Sequence, residues 1–373
     1  MLSLAMFCLV NHTDSAPSQL TFHQDLIIDN ESLIGVFITD VTATEQGYIA
    51  VAINDLAHIK VFSPDGSYVQ TIGQRGRGPG DFLNLLSLEY KNGKFHGLDA
   101  GITAKMNLFD IQGSLNQAIA FPVLMNTTLP FARILNNGNI LVKYRPLISN
   151  EVMNTEPISS FYVINTNHPN IKNRLFDSPA REQFIVRDEF GFSVVPMPFR
   201  RTNQIAELNG KIFHSWTGTE HIRVYEPDKG EIGSFSLRNI LDVVELTDED
   251  YTNYFREWFG VNPEEDIRRR VQSDATLQRQ LRAYALMIEK RDELHKTFPF
   301  YNSLLSCGSY LWVSAQHKDR KKQIVLKLDE NGSLIASGTL PSSVSIKHIS
   351  KGYLYGLDQD EYYTPTVVRY SIH

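Results

Sequence analysis

The sequence predicts an all-β fold, a six-bladed β-propeller of four-stranded antiparallel blades with one α-helical insertion, and three observations carry that reading. Short runs of β-branched and aromatic residues recur along the chain, separated by Asn-Gly, Asp-Gly and Pro-Asp-Gly turns. They return at a period of roughly 45 to 50 residues, the length of one propeller blade. One stretch, residues 240–296, breaks the cadence and adopts helical spacing.

The cadence is clearest from Gly47 to Phe82. Residues 47–54 form a β-branched and aromatic run, 58–62 alternate, Ser63-Pro-Asp-Gly66 is a turn, and 67–72 make a third strand. The pattern returns at 94–121, 132–164 and 205–225, then at 310–332 and 353–370, with turns at Asn136-Asn-Gly138, Asn209-Gly210 and Asp329-Glu-Asn-Gly332. Setting aside an N-terminal tail of about 20 residues and a helical insert of about 60 leaves roughly 290, which at that period is about six blades, with seven the next count. A single blade cannot bury both faces, so blades must stack and the ring must close. The strand-like segment 19–28 is expected to close it as the outer strand of the last blade, pairing with the segment near Thr366 to Ile372. The organisation expected is a tail or remnant of an export signal over 1–18 and a propeller over 19–373, interrupted by 240–296.

Composition is that of an ordinary folded protein with a large core: 373 residues, 42% hydrophobic, 11% aromatic and 21% charged. The 42 acidic and 36 basic residues give a net charge of −6, so no global basic field draws in nucleic acid. Two cysteines, Cys8 and Cys307, are too few for a disulfide framework and are not spaced as metal ligands. No apolar run of about 18 residues is present, so no transmembrane helix is expected. The apolar start, Met1 to Val10, lacks a basic residue before it but otherwise suits an export signal, with Cys8 a candidate lipid anchor and an extracytoplasmic location, in the periplasm or at the outer membrane, expected.

Residues 71–82 read Thr-Ile-Gly-Gln-Arg-Gly-Arg-Gly-Pro-Gly-Asp-Phe. With the Ile-Lys-Val-Phe-Ser-Pro-Asp-Gly strand and turn before it, this segment resembles the inter-blade connection of NHL-repeat propellers. More closely, it resembles the six-bladed, TolB-like propellers of Bacteroidetes. The resemblance covers about 40 residues, Gly47 to Leu88, and implies a family largely without an established activity. Physically, Gly73, Gly76, Gly78 and Gly80 permit positive φ or close backbone approach, Pro79 stiffens the loop, and Phe82 can anchor it between blades. The loop leads into a strand and lacks Gly-Lys-Ser/Thr, which argues against a phosphate site.

In the insert, Thr247-Asp-Glu-Asp250 reads as a capping box and Gly260 as the stop of a first helix carrying Tyr251, Tyr254, Phe255 and Trp258. Pro263 opens a second helix to about Gln272, and Ser273-Asp274 caps a third, with Leu277, Leu281, Tyr284 and Ile288 on one stripe, to about His295. The insert is either a lid or partner-binding element over the channel, or it packs its aromatics against the propeller side. An exposed apolar stripe on the third helix would instead serve self-association.

No H-E-x-x-H, C-x-x-C, G-x-S-x-G or EF-hand motif is present, and no cofactor is predicted. A propeller can still assemble a Ca²⁺ or Zn²⁺ site from one residue per blade. The candidates for that are Asp99, His214 and Asp358, for each of which an ordinary blade hydrogen bond is the preferred role. Aromatic faces beside arginine suit sugar rings or carboxylates, which makes Phe190, Phe192, Phe199, Arg200, Arg201 and Trp216 the candidate ligand-facing residues, although an inter-blade strand with Phe190, Phe192 and Phe199 in the core is the preferred role of that segment. The sequence therefore points to a non-catalytic exported recognition or scaffold propeller binding a protein, peptide or glycan at one face of the ring. The alternative is a metal-dependent hydrolase or lyase at the channel mouth, which the convergence of three or more carboxylate, His or Asn side chains there would favour.

Overall fold

The computed structural model describes residues 17–28, 33, 36–147, 157–166, 174–180, 182–188, 191–270, 274–359 and 364–373. They form six four-stranded antiparallel blades. Blade I runs from Ile38–Ala43 to Tyr68–Ile72, blade II from Leu85–Lys91 to Leu115–Ala120, and blade III from Thr127–Ile134 to Arg174–Pro179. Blade IV runs from Asn203–Leu208 to Gly230–Ser236, blade V from Ser303–Cys307 to Leu334–Pro341, and blade VI from Ser345–Ser350 to Pro365–Ile372. The first strands of neighbouring blades approach one another around the axis and line the channel.

Phe22–Ile28 is the outer strand of blade VI, antiparallel to Pro365–Ile372, with Ile27 opposite Val368 and Phe22 opposite Ile372. The ring is therefore closed by the strand expected to close it. Just before it, Ser18–Gln19 adds a short parallel pairing to the edge of blade V, so the ladder already includes residue 18.

Blades are held by apolar side chains that alternate along each strand and meet the next blade. Six buried clusters correspond to the six junctions. Phe82, Phe95 and Ile59 sit between blades I and II, Leu98 and Ile140 between II and III, and Phe161 and Ile212 between III and IV. Phe213 and Leu304 sit between IV and V, Val325 and Leu354 between V and VI, and Ile49 and Tyr355 between VI and I.

The two faces of the ring differ. Where the first strand of a blade turns into the second, the connections are short. In Asn92-Gly93, Asn209-Gly210 and Lys351-Gly352 both residues have positive φ, as two-residue hairpins of right-handed twist require. The opposite face carries the long connections. After blade III a two-stranded hairpin, Gln183–Asp188 with Gly191–Pro196, precedes blade IV. The inter-blade strand preferred over a loop for the Phe-rich run is present as Gly191–Pro196, while its pairing partner, with Val194 opposite Ile185, carries no Asn-Gly or Asp-Gly turn signal in the sequence.

After blade IV come α1 (Asp248–Phe259), α2 (Pro263–Arg270) and α3 (Asp274–Glu289). Thr247 and Asp250 form the expected reciprocal capping box, and Gly260 ends α1 at φ 96°. The third helix stops about six residues short of its expected end. A 3₁₀ turn, Arg291–Glu293, follows it, buries Leu294 and brings His295 under the Tyr251 hydroxyl at 2.6 Å. The insert has its own core of Tyr251, Phe255, Phe259, Ile267, Met287 and Leu294, onto which Met197 and Phe199 pack. Hairpin and helices thus make one cap on one face, rather than aromatic ornament on the propeller side. Ile288, at the end of the expected stripe, is exposed. No helix among the described residues is long and apolar enough to cross a membrane.

Candidate functional site

The channel holds a pocket of about 350 Å³, lined by all six first strands in their C-terminal halves and reaching the turn residues Asn136, Asn209 and Gly308. It therefore opens at the face of short turns, away from the cap. Its charges follow from strand alternation. Val41, Tyr90, Ala132, Ile134, Ala206 and Leu208 point into the junction cores. Their neighbours Asp40, Glu89, Lys91, Arg133 and Glu207 must then face the axis. Lys347 adds a third cation from blade VI.

Acids and bases balance, three against three, but they are not joined alike. Lys91 Nζ lies 2.7 Å from Glu207 Oε2, and both are tied to backbone: Lys91 donates to the Ile134 carbonyl at 2.7 Å, and Glu207 Oε1 accepts the Asn136 N–H at 2.7 Å. The pair spans from blade II to blade IV and is closed. Arg133 and Glu89, in contrast, stand 3.7 Å apart, and Arg133 donates to the Ile205 carbonyl at 2.9 Å. Asp40 accepts the N–H groups of Val41 and Leu88, both at 3.0 Å; among the described residues it makes no ion pair with Lys347, whose Nζ donates to the Thr39 carbonyl at 3.4 Å.

Burial pushes the carboxyls of Asp40 and Glu89 up, against the pull of Lys347 on the first and of Arg133 and Lys91 on the second. His348, beside Thr42 at 3.5 Å and against Tyr355, is lowered to about 4 by burial and so is neutral at physiological pH. Thr42 also accepts the Tyr90 N–H at 3.1 Å. Asp40 and Thr42 thereby satisfy donors that the first strand of blade II cannot pair within its own sheet.

The residues singled out from sequence lie elsewhere. Asp99, His214 and Asp358 stand on second strands of blades II, IV and VI, behind the strands that line the channel, and are not brought together. Asp99 accepts the N–H groups of Leu83 and Asn84 at 2.9 and 2.7 Å. His214 meets Asn203 at 2.7 Å, stacks beside Phe176, and is lowered to about 3 by burial. Asp358 borders a separate cavity of about 660 Å³ at the opposite face, between blades VI and I. Among the described residues no group of three or more His, Cys, Asp or Glu is placed to hold a metal.

Of the aromatic and basic segment, Phe199 packs against Tyr251, Tyr254 and Phe298 at 5.1–5.3 Å. Arg201 is buried and donates to the Phe199 carbonyl and to both oxygens of Thr297, while its N–H meets Glu182 at 2.7 Å. These two side chains fasten the cap to the ring. Arg200 and Trp216 are partly exposed beside them. Phe190, the Phe192 side chain and Cys8 lie outside the described residues.

The glycine-rich loop joins blade I to blade II. Phe82 is fully buried, 6.0 Å from Phe109, and rests on Gly73 and Gly97, where any Cβ would come within 2.7 Å of its ring. Phe82→Ala is expected to lower the unfolding free energy by about 3–5 kcal/mol, as for a large aromatic removed from a closed core. Urea denaturation checks this, and a loss under about 1 kcal/mol would mean that the junction refills.

The channel charges were missed because each is one residue in an apolar strand. A signal existed: a charged residue two to four positions before an Asn-Gly, Asn-Asn-Gly or Lys-Gly turn, as in Glu89-Tyr-Lys-Asn-Gly93, Glu207-Leu-Asn-Gly210 and Lys347-His-Ile-Ser-Lys-Gly352.

No family model matches the chain, and no curated protein sequence matches it. A member of the DUF4221 family from Bacteroides vulgatus is similar in structure over 96% of this chain and 99% of that one, at 10% identity and a TM-score of 0.50. The PQQ-bound aldose sugar dehydrogenase of Streptomyces coelicolor is similar over 96% and 99%, at 8% identity and a TM-score of 0.48. A protein of Bacteroides fragilis, exported by name only, is similar over 94% and 97%, at 13% identity and a TM-score of 0.44. At these identities the likeness is one of fold, a propeller shared by proteins of mixed function.

Proposed function

We propose that this chain is an exported, non-catalytic recognition propeller that takes a polar ligand borne by a partner, the end of a glycan or of a peptide, into the channel at the face of short turns. The observation that carries this reading is the pocket itself: six first strands converge on a polar, charge-balanced cavity whose mouth the cap does not cover. Pockets of this size with a few convergent polar groups are the usual form of a binding site. The apolar start of the chain supports export, with Cys8 as the candidate anchor, and the Gly73 to Phe82 loop supports a place beside the TolB-like and NHL-like propellers.

The hydrolase or lyase reading has one feature in its favour, the burial of the Asp40 and Glu89 carboxyls, which pushes both upward, the direction a general acid needs. For a metal to use these carboxylates it would have to displace Arg133 and compete with Lys347. The test is to probe glycan and peptide arrays with the full chain and with Glu89→Gln/Arg133→Ala. Binding lost in the double variant, with the captured ligand recovered intact, is the expected result. Binding that survives the double variant, or ligand recovered cleaved, overturns it.

A further inference from the structure

The three acid–base pairs of the channel differ in a way that selects a ligand. Lys91 and Glu207 are in contact and saturated by backbone groups, and so form a floor. Glu89 and Arg133, at 3.7 Å, are too far apart for a direct hydrogen bond, and Asp40 and Lys347, near enough for the cation to pull on the carboxyl, form no ion pair among the described residues. Each of these two open pairs sets an acceptor beside a donor, both held by backbone tethers from neighbouring blades: Arg133 on the Ile205 carbonyl, Asp40 on the Leu88 N–H. A hydroxyl group fits such a pair, because it donates one hydrogen bond and accepts others at the same atom. An ammonium can only donate and a carboxylate can only accept.

Charge points the same way. Three acids and three bases line the cavity, so a ligand with a net charge would leave one charge uncompensated in a partly desolvated space. The two open pairs lie on blades II/III and VI/I, around one cavity of about 350 Å³, so they can engage two hydroxyls of a single small ring.

We propose that the channel binds a neutral polyhydroxylated ring, a monosaccharide unit or cyclitol, with one hydroxyl bridging Glu89 and Arg133 and a second bridging Asp40 and Lys347. This rests on the recognition reading above and names its ligand class.

Calorimetric titration of the full chain with glucose, galactose, mannose, N-acetylglucosamine and myo-inositol, beside glucuronate, glucosamine and a tripeptide, tests the assignment. At least one neutral ring is expected to bind at or below about 10 mM, and Glu89→Gln and Lys347→Met are each expected to weaken it at least about tenfold. Lys347 makes no ion pair, so Lys347→Met keeps the test meaningful should the Glu89 variant fold poorly; thermal melts of both variants check this. Lack of binding by every neutral ring, or tighter binding of glucuronate, glucosamine or the tripeptide, overturns the polyol assignment. If such a charged ligand is lost with Lys347→Met, the channel recognition reading survives without it. If every ligand found binds the variants as it binds the parent chain, both fall.

Discussion

Acidification is expected to unfold this protein well before its carboxylates titrate. His96, His214 and His348 are held to about 4, 3 and 4 against an ordinary 6.5, in each case chiefly by burial, with neighbouring cations adding to it. Among the described residues the Nδ1 atoms of His96 and His214 and Nε2 of His348 are buried without a hydrogen-bond partner, so a proton added there gains no acceptor from them. The sign follows from proton counts. Between pH 6.5 and 4 the unfolded chain carries these protons and the native chain does not, so stability falls as pH falls through that window and is fully present above it.

Each group contributes a slope of about 1.4 kcal/mol per pH unit, and three give roughly 4. Over two units that is on the order of the whole stability of a typical domain. Asp40 and Glu89 work in the opposite direction, because their raised carboxyls take up protons in the native state first, and they soften the fall. Urea midpoints measured from about pH 7.5 to about pH 4.5 should drop steeply, and His214→Phe, placed among Phe161 and Phe176, should remove about a third of the slope. A flat profile across that range would show that these imidazoles are protonated in the folded protein.

Removal of residues 1–28 should be the most damaging truncation. Blade VI would lose its outer strand, leaving Pro365–Ile372 as an open edge, and the ring would lose the N-terminal strand that completes its last blade. Ile28 is fully buried, and Phe22 and Leu26 pack on two different junction cores, so their loss alone costs on the order of 5 kcal/mol. Arg369 would also lose Asp25, its partner at 3.0 Å, from a site where the guanidinium is mostly buried over Tyr353. The truncated chain is expected to aggregate through the exposed edge. A chain beginning at residue 17 should behave as the full one, and a peptide spanning 17–28, added in trans, should restore a cooperative melt. If the truncated chain remains monomeric and melts within about 3 °C of the parent, closure by this strand is not what holds the ring.

The architecture was legible because its determinants are local and repeated. The alternation of His58–Phe62, the Asn209-Gly210 turn and the Thr247/Asp250 capping box each report one element within a few residues. The strand 19–28 was assignable because a ring of blades with one strand short has a single place for a surplus strand. The strand within Phe190 to Arg201 was legible as the preferred reading of that run, but its hairpin partner at 183–188 was not, because no Asn-Gly or Asp-Gly turn marks it as paired.

The site is a different matter. Glu89 and Arg133 lie 44 positions apart and Lys91 and Glu207 lie 116 apart, and the turns that follow them in sequence place each near a strand end without saying which charges meet. Conversely Arg201, Phe199 and Asp99, conspicuous in sequence, are engaged in holding loops and cap. By itself the sequence determined the repeat, the blade count, the closing strand and the helical interruption, since strand period, turn residues and caps act over short distances. Tertiary structure alone decided which charges meet in the channel and which pairs are closed or open, because that depends on which edge of each blade faces the axis and how far backbone tethers hold the side chains apart.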